Sequence, residues 1–309
     1  MNAHPNQPRT YRRDSAANIR DLPETRLGFS LIELLVVVAI IGLLVGILVP
    51  TLMNVRENTR LVVCQSNLRS IAMAWHAYLR DNRERVPRGF YVGTTFGGKQ
   101  GKAPNYGGDP NAPPDKRRRI LNRYLGIEPI VTKGQAVEVF RCPGDTGSFI
   151  SADGGTDTVY SRHWDYYGTS YRSNRYVIGP TPPRASWNDP CWALIDDLRR
   201  RFDQLSLSLS NAPNESRLVL VGNYGFDDWQ NPAQDKPPVE FHTRSYRGHS
   251  GVRLDLVSGS RHNLAFMDGH AAFTEVRKGI YVAPLYTLIP FRDMQDAFRE
   301  DQAAGYSPP

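Results

Sequence analysis

Cysteine is scarce in this 309-residue chain: Cys64, Cys142 and Cys191 are the three. They allow at most one internal disulfide with one thiol left over, and the count alone does not fix the redox compartment. Internal repeats and low-complexity runs are absent. Also missing are zinc-finger, RNP-type and helix-turn-helix signatures. The basic excess, 38 Lys+Arg against 31 Asp+Glu for a net charge of +7, therefore has no nucleic-acid motif to serve. Its clusters at Arg12–Arg13, Lys116–Arg119 and Arg199–Arg201 are short and separate, and read as solvated surface. No nucleic-acid partner is expected. There is no Gly-x-Ser-x-Gly elbow and no phosphate-cradling glycine loop, so nothing points to an enzyme.

What is present is globular material with one outlier. With 40% hydrophobic and 22% charged residues the composition excludes a disordered chain, a coiled-coil rod and a polytopic membrane protein. The length fits one to three domains with a real core. Mean hydropathy is −0.46, yet between Leu31 and Val49 only Glu33 is charged. Phe29 to Val49 would make about 31 Å of helix at 1.5 Å per residue, which matches the ~30 Å hydrocarbon core of a bilayer. A secretory signal peptide has a shorter apolar region ending in a small-residue cleavage site, and none follows here. Five arginines lie in residues 1–27 and few basic residues follow the span closely, which puts the N-terminus in the cytoplasm. One membrane helix is expected.

Glu33 is the anomaly in that span. An acid there costs roughly 2.5–3.5 kcal/mol on insertion scales and normally has a partner. It either reaches the headgroups or pairs with a charge from another chain, for instance a newly exposed N-terminal amine on a neighbouring copy. Gly28, Phe29, Ser30 and Glu33, with the apolar run behind them, resemble the class III signal of type IV pilins and type II secretion pseudopilins. The resemblance implies cleavage by a prepilin peptidase between Gly28 and Phe29, N-methylation of Phe29, and pairing of Glu33 with the terminal amine of an adjacent subunit. Ser30 stands where many members have threonine. Similar filament proteins have a proline at the place of Pro50, where the helix can bend or locally melt; a proline interior to a helix kinks or ends it. Gly42 and Gly46, four apart, allow close helix–helix approach in lipid, or are simply tolerated there.

Beyond Pro50, Leu61, Cys64, Leu68, Ile71, Trp75 and Tyr78 recur at spacings of three and four and form one apolar stripe of a helix. Residues 29–80 would then form a continuous helix of about 78 Å, the spine of a pilin-like subunit. Residues 86–115 are rich in glycine and proline and read as a long surface loop. Short segments at Val137–Arg141, Tyr171–Ile178, Trp192–Asp196, Leu218–Gly222, Leu254–Val257, Asn263–Met267 and Ala271–Val276 suggest a mainly antiparallel sheet. Asp268-Gly269 marks the clearest hairpin, within His262 to Val276. The expected fold is α+β and pilin-like: a leader over 1–28, a transmembrane helix over 29–50, an amphipathic helical spine over 51–82 and a globular head over 83–309. The CQSNLRSIAMAW segment, the FRCPGD stretch at Phe140–Asp145 and the RHN…MDGH ending further resemble prepilin-type proteins of planctomycete-like bacteria. Those carry a His-(nine residues)-Asp-Gly signature; here five residues separate His262 from Asp268.

Candidate chemistry in the head is thin. His262, Asp268 and His270 lack a tight zinc spacing, and Asp268 serves the turn. Asp145, Asp153 and Asp157, interleaved with glycines, offer oxygens for calcium, which some major pseudopilins bind in a loop, but their spacing is not that of an EF-hand. No other cofactor is expected. If the head is exported, a disulfide between Cys64 and Cys142 would fasten spine to sheet by a few kcal/mol; otherwise they are packed thiols. The functional expectation is a non-catalytic subunit in the inner membrane with its head in the periplasm. It would be processed by prepilin peptidase and assembled with copies of itself and other pilin-like subunits by secretion or pilus machinery, into a periplasmic or surface filament for type II secretion. The rivals are a membrane-tethered ligand-binding or enzymatic domain using a prepilin export signal, and a DNA-uptake or adhesion pilin.

Overall fold

A computed structural model describes residues 30–87, 92–102, 118–130, 137–151, 158–178, 214–226, 241–242, 260–277 and 279–296. The chain divides into two units, Met1–Leu52 and Met53–Pro309. Helix α1 (Leu31–Asp81) opens in the first and continues in the second. In the first unit every described side chain is exposed, from Val37 at 47% to Leu31 at 81% among the large apolar ones. Among the described residues α1 is the one helix long and apolar enough to cross a membrane.

Pro50 does not end the helix, contrary to one half of the expectation. A proline at this point removes a single backbone donor, the one that would serve the Gly46 carbonyl. Thr51 follows and donates its hydroxyl to Leu48 O at 2.7 Å.

In the second unit α1 changes character. Cys64, Leu68, Ile71, Ala72, Ala74, Trp75 and Leu79 are buried, which is the expected stripe with Leu61 and Tyr78 left half-buried at its margins. Burial of each large member removes apolar area worth roughly 1.5–3 kcal/mol. Trp75 meets Tyr78 edge-on at 5.6 Å and Phe96 at 5.7 Å, and Phe96 in turn meets Phe140 at 6.0 Å.

The sheet is a four-stranded antiparallel meander, β3 (Tyr171–Ser173), β4 (Val219–Asn223), β5 (Ser260–Phe266) and β6 (Ala271–Val276), in that spatial order. A separate hairpin pairs β1 (Ser148–Ser151) with β2 (Thr158–Ser161). Successive strand residues point to opposite faces. On β5 Ala265 joins the core that contains the α1 stripe, whereas Leu264 and Phe266 join a second core with Tyr281, Tyr286, Leu288 and Ile289. Both faces of the sheet are therefore covered, and all five residues of β4 are buried. The β5–β6 turn forms at Asp268-Gly269 as expected: Gly269 takes φ +90°, and its N–H donates to Phe266 O at 2.9 Å. That three-residue loop needs a left-handed residue at its last position, which glycine supplies without steric cost.

Three expectations are corrected. Val137–Arg141 is not a strand; Glu138–Phe140 is a 3-10 turn, and its carbonyls serve Asn67 Nδ2 and Ser170 N instead of a ladder. Tyr171–Ile178 is extended only over its first three residues, because Asn174 turns the chain by accepting from Tyr176 N on its side chain and from Val177 N and Ile178 N on its carbonyl. Within 86–115, the described stretch 92–102 contains a short helix, α2 (Val92–Thr95), and buries Phe96, Gly97, Gly98 and Gly101 rather than looping over the surface. A Cβ at Gly97 would land on the Phe140 ring, so these glycines serve close packing. Leu218–Gly222, Asn263–Met267 and Ala271–Val276 fall on β4, β5 and β6; Trp192–Asp196 and Leu254–Val257 lie outside the described residues.

Candidate functional site

Among the described residues two places hold chemistry, and they are built from opposite materials. The first is the start of α1. Ser30 is its N-cap: Glu33 N donates to Ser30 Oγ at 3.3 Å, and Ser30 N donates to Glu33 Oε2 at 2.9 Å. This is a reciprocal capping box, Ser-x-x-Glu, satisfying two of the backbone donors that a helix start leaves without partners. A carboxylate in the first turn also suits the positive end of the helix dipole. Glu33 thus has a structural use within its own chain. The Ser-x-x-Glu spacing of Ser30 and Glu33 is the local sequence signal for this cap. Gly42 and Gly46 lie on exposed faces with nothing within 4 Å of an added Cβ. Gly28 and Phe29 lie outside the described residues.

The second place is a buried polar nest where α1 meets the head. Cys64, at the centre of the apolar stripe, and Cys142, just after the 3-10 turn, place their sulfurs 3.4 Å apart. The pair expected to fasten spine to sheet is therefore juxtaposed, but as two thiols: a covalent bridge requires about 2 Å. His242 Nε2 stands 3.1 Å from Cys142 Sγ, and its Nδ1 lies 3.5 Å from Glu57 Oε1, two turns before Cys64 on α1. Asn223 Nδ2 donates to Cys64 Sγ at 3.3 Å and the Tyr171 hydroxyl donates to it at 3.6 Å. Burial pushes the Cys64 thiol up, but hydrogen bonds from Cys142, His242 and Tyr171 outweigh it and hold the group well below the ordinary thiol range. Burial and the neighbouring Cys64 push Cys142 well above that range. Cys191 lies outside the described residues.

The surroundings of this nest are locked by side chains that the sequence did not single out. Asn67, one turn after Cys64, donates to Arg141 O at 3.0 Å and so fixes α1 to the segment carrying Cys142. Gly144 leaves room for the imidazole: an added Cβ would stand 2.9 Å from His242 Cε1 and 2.5 Å from Phe241 O. Asp145 is buried, and its carboxylate accepts from His163 N at 3.2 Å, Trp164 N at 2.8 Å and Ser170 Oγ at 2.7 Å. It caps the short helix α3 (His163–Tyr166). Both its oxygens are thereby committed to protein donors, while Asp153 and Asp157, its companions in the calcium reading, lie outside the described residues. Arg119, expected among solvated basic residues, is instead buried and donates to Thr94 O at 3.2 Å and Tyr167 O at 2.9 Å. Burial lowers its guanidinium to about 9.

Among the other sequence candidates, His270 Nδ1 is 2.6 Å from Asp268 Oδ1 at the exposed hairpin, and His262 Nε2 is 2.6 Å from Ser260 Oγ inside the sheet. Cys64, Cys142 and His242 are the only group of three potential ligands brought together among the described residues. His242 was missed because 100 residues separate it from Cys142, and no spacing rule spans that distance.

A long N-terminal helix, apolar in its first part and packed in its second on a four-stranded antiparallel sheet, is the architecture of pilin-like α+β subunits. Residues 25–49 match the family model described as the prokaryotic N-terminal methylation motif. The chain is also 28% identical over 131 residues to the type II secretion system core protein G of Pseudomonas aeruginosa, a match covering 41% of this chain and 84% of that protein. No solved structure matches. The chain is thus a type IV pilin-like or pseudopilin-like subunit carrying a prepilin motif, with distant homology to a secretion pseudopilin over part of its length. Proteins of this kind are in general structural, anchored in the inner membrane and associated with a prepilin peptidase and a pilus or secretion machinery. Neither match supports the narrower His-(nine residues)-Asp-Gly subfamily.

Proposed function

We propose that the chain is the precursor of a type II secretion pseudopilin. Prepilin peptidase removes residues 1–28, methylates Phe29, and leaves a 29–50 span in the inner membrane with the head in the periplasm. The single observation that supports this most strongly is the apolar run of α1, wholly exposed in one chain and lying within the matched methylation motif. An exposed apolar surface of this size has two natural covers, lipid before assembly and neighbouring copies after it. Similarity to a secretion core protein favours secretion over adhesion or DNA uptake.

In this reading the work of the chain is mechanical. The helix buries its apolar surface against its neighbours, and Glu33 sets their register, since a carboxylate in low dielectric demands a cation. The capping box adds a step: Glu33 exchanges the Ser30 N–H for the amine of an adjacent subunit. Glu33→Ala removes the pairing charge and is expected to abolish filaments, seen by electron microscopy of cells expressing the assembly machinery, while membrane insertion is unchanged. Normal filaments from that variant would refute the pairing role.

A further inference from the structure

The buried nest between α1 and the head has the composition of a metal centre. Its three ligand atoms, Cys64 Sγ, Cys142 Sγ and His242 Nε2, lie within 4.8 Å of one another and all three residues are buried. Zinc with bonds of about 2.3 Å to sulfur and 2.0–2.1 Å to nitrogen, at tetrahedral angles, requires sulfur–sulfur and sulfur–nitrogen separations of roughly 3.6–3.8 Å. Two of the three separations, 3.4 Å between the sulfurs and 3.1 Å from Cys142 Sγ to His242 Nε2, reach those values with outward shifts of about half an ångström or less, and the third lies within 4.8 Å. A disulfide would instead need the sulfurs to close by more than an ångström.

The shell around the sulfurs makes the same distinction. Asn223 Nδ2 and the Tyr171 hydroxyl donate to Cys64. Donors aimed at sulfur stabilise thiolates, whereas a neutral disulfide has little use for them. Glu57 Oε1 stands 3.5 Å from the far ring nitrogen of His242, which has no hydrogen bond as it stands, so a small approach would complete the carboxylate–imidazole arrangement that orients a histidine ligand. Two thiolates, one imidazole and a divalent cation sum to zero charge, which a site this buried requires.

We propose that Cys64, Cys142 and His242 bind zinc(II) as a structural centre that fastens α1 to the head. Zinc is a borderline-soft ion without redox chemistry, and two thiolates with one imidazole match its preferred donors. The fourth coordination position is not supplied by the described residues and falls to water or another group. Binding releases the thiol protons and couples metal affinity to the folding of the head. The inference stands apart from the reading as a secretion pseudopilin, since it concerns the head of the chain whatever its filament does.

The test uses the full chain, extracted in detergent without chelator and analysed for metal by inductively coupled plasma mass spectrometry. One zinc per chain is expected. His242→Gln and Cys142→Ser are expected to lose at least tenfold in zinc affinity, and Glu57→Gln about tenfold, the range seen when an orienting partner of a metal ligand is removed. Should these variants fail to fold, the wild-type chain decides alone. Exchange with cobalt(II) is expected to give the intense visible bands of a tetrahedral site and a thiolate charge-transfer band. A wild-type chain that takes up neither zinc nor cobalt overturns the proposal. So does a Cys64–Cys142 disulfide, seen as an intact mass lighter by two hydrogen atoms and located to that pair by peptide mapping, or selective uptake of copper(I) in place of zinc.

Discussion

Helix α1 carries two apolar stretches of opposite fate. Over residues 31–52 its side chains are all exposed, while between Cys64 and Leu79 it buries seven against the head. The difference lies in how the apolar residues are arranged. The first stretch is apolar all round, so no one face can be satisfied by a single packed partner, and the helix must be surrounded. The second confines its apolar residues to one stripe and gives the other faces to polar residues such as Ser66 and Arg69, so one sheet is enough to cover it. The polar content is also opposed. The first stretch holds one acid, used in a cap at the helix start. The second delivers a cysteine and an asparagine into a buried network of thiols, imidazole and amides.

If that contrast is right, truncations in the two stretches have unequal effects on the stability of the head. Trp75→Ala leaves a large cavity among Tyr78, Phe96 and the rest of the core, and is expected to cost about 3–5 kcal/mol. Ile41→Ala, at an exposed position of the same helix, is expected to change it by less than about 0.5 kcal/mol. Urea unfolding of the detergent-solubilised chain, followed by circular dichroism, measures both; equal costs would erase the contrast.

The head has an acid-sensitive group of its own. Burial lowers His163 to about 4, with Asp145 opposing and Arg172 assisting the shift. Its folded value lies below the ordinary ~6.5, so the native state holds the ring neutral while the unfolded chain protonates it. The stability it confers is complete above about pH 6.5 and is lost as pH falls from there towards 4, by up to about 3 kcal/mol. Unfolding midpoints measured across that window are expected to decline, and His163→Phe to flatten the decline. A wild-type profile with no slope there would remove His163 from the account.

How much of this was readable beforehand varied with the range of the interaction. The apolar run, the stripe from Cys64 to Trp75 and the Asp268-Gly269 hairpin follow from periods of 3.6 and 2 and from one left-handed glycine, all local signals. The Cys64–Cys142 juxtaposition was legible because few cysteines exist to choose from. The 3-10 turn at Glu138–Phe140 and the early end of β3 at Asn174 were not, since each depends on which polar group takes the backbone, and that is settled by tertiary neighbours such as Asn67 and Ser170. Arg119 read as surface by its company, and is buried because two carbonyls wait for it. His242 and Gly144 carried no signal at all: their importance is a matter of which loops meet, not of spacing.

The central claim is that the apolar start of α1 is an assembly helix released by processing. Its most direct test is the mass of the N-terminus. Co-expression with a prepilin peptidase, followed by mass spectrometry of the membrane-extracted chain, is expected to show a polypeptide beginning at N-methylated Phe29. A chain that keeps residues 1–28 in the presence of active peptidase, or is cut elsewhere, would contradict the account.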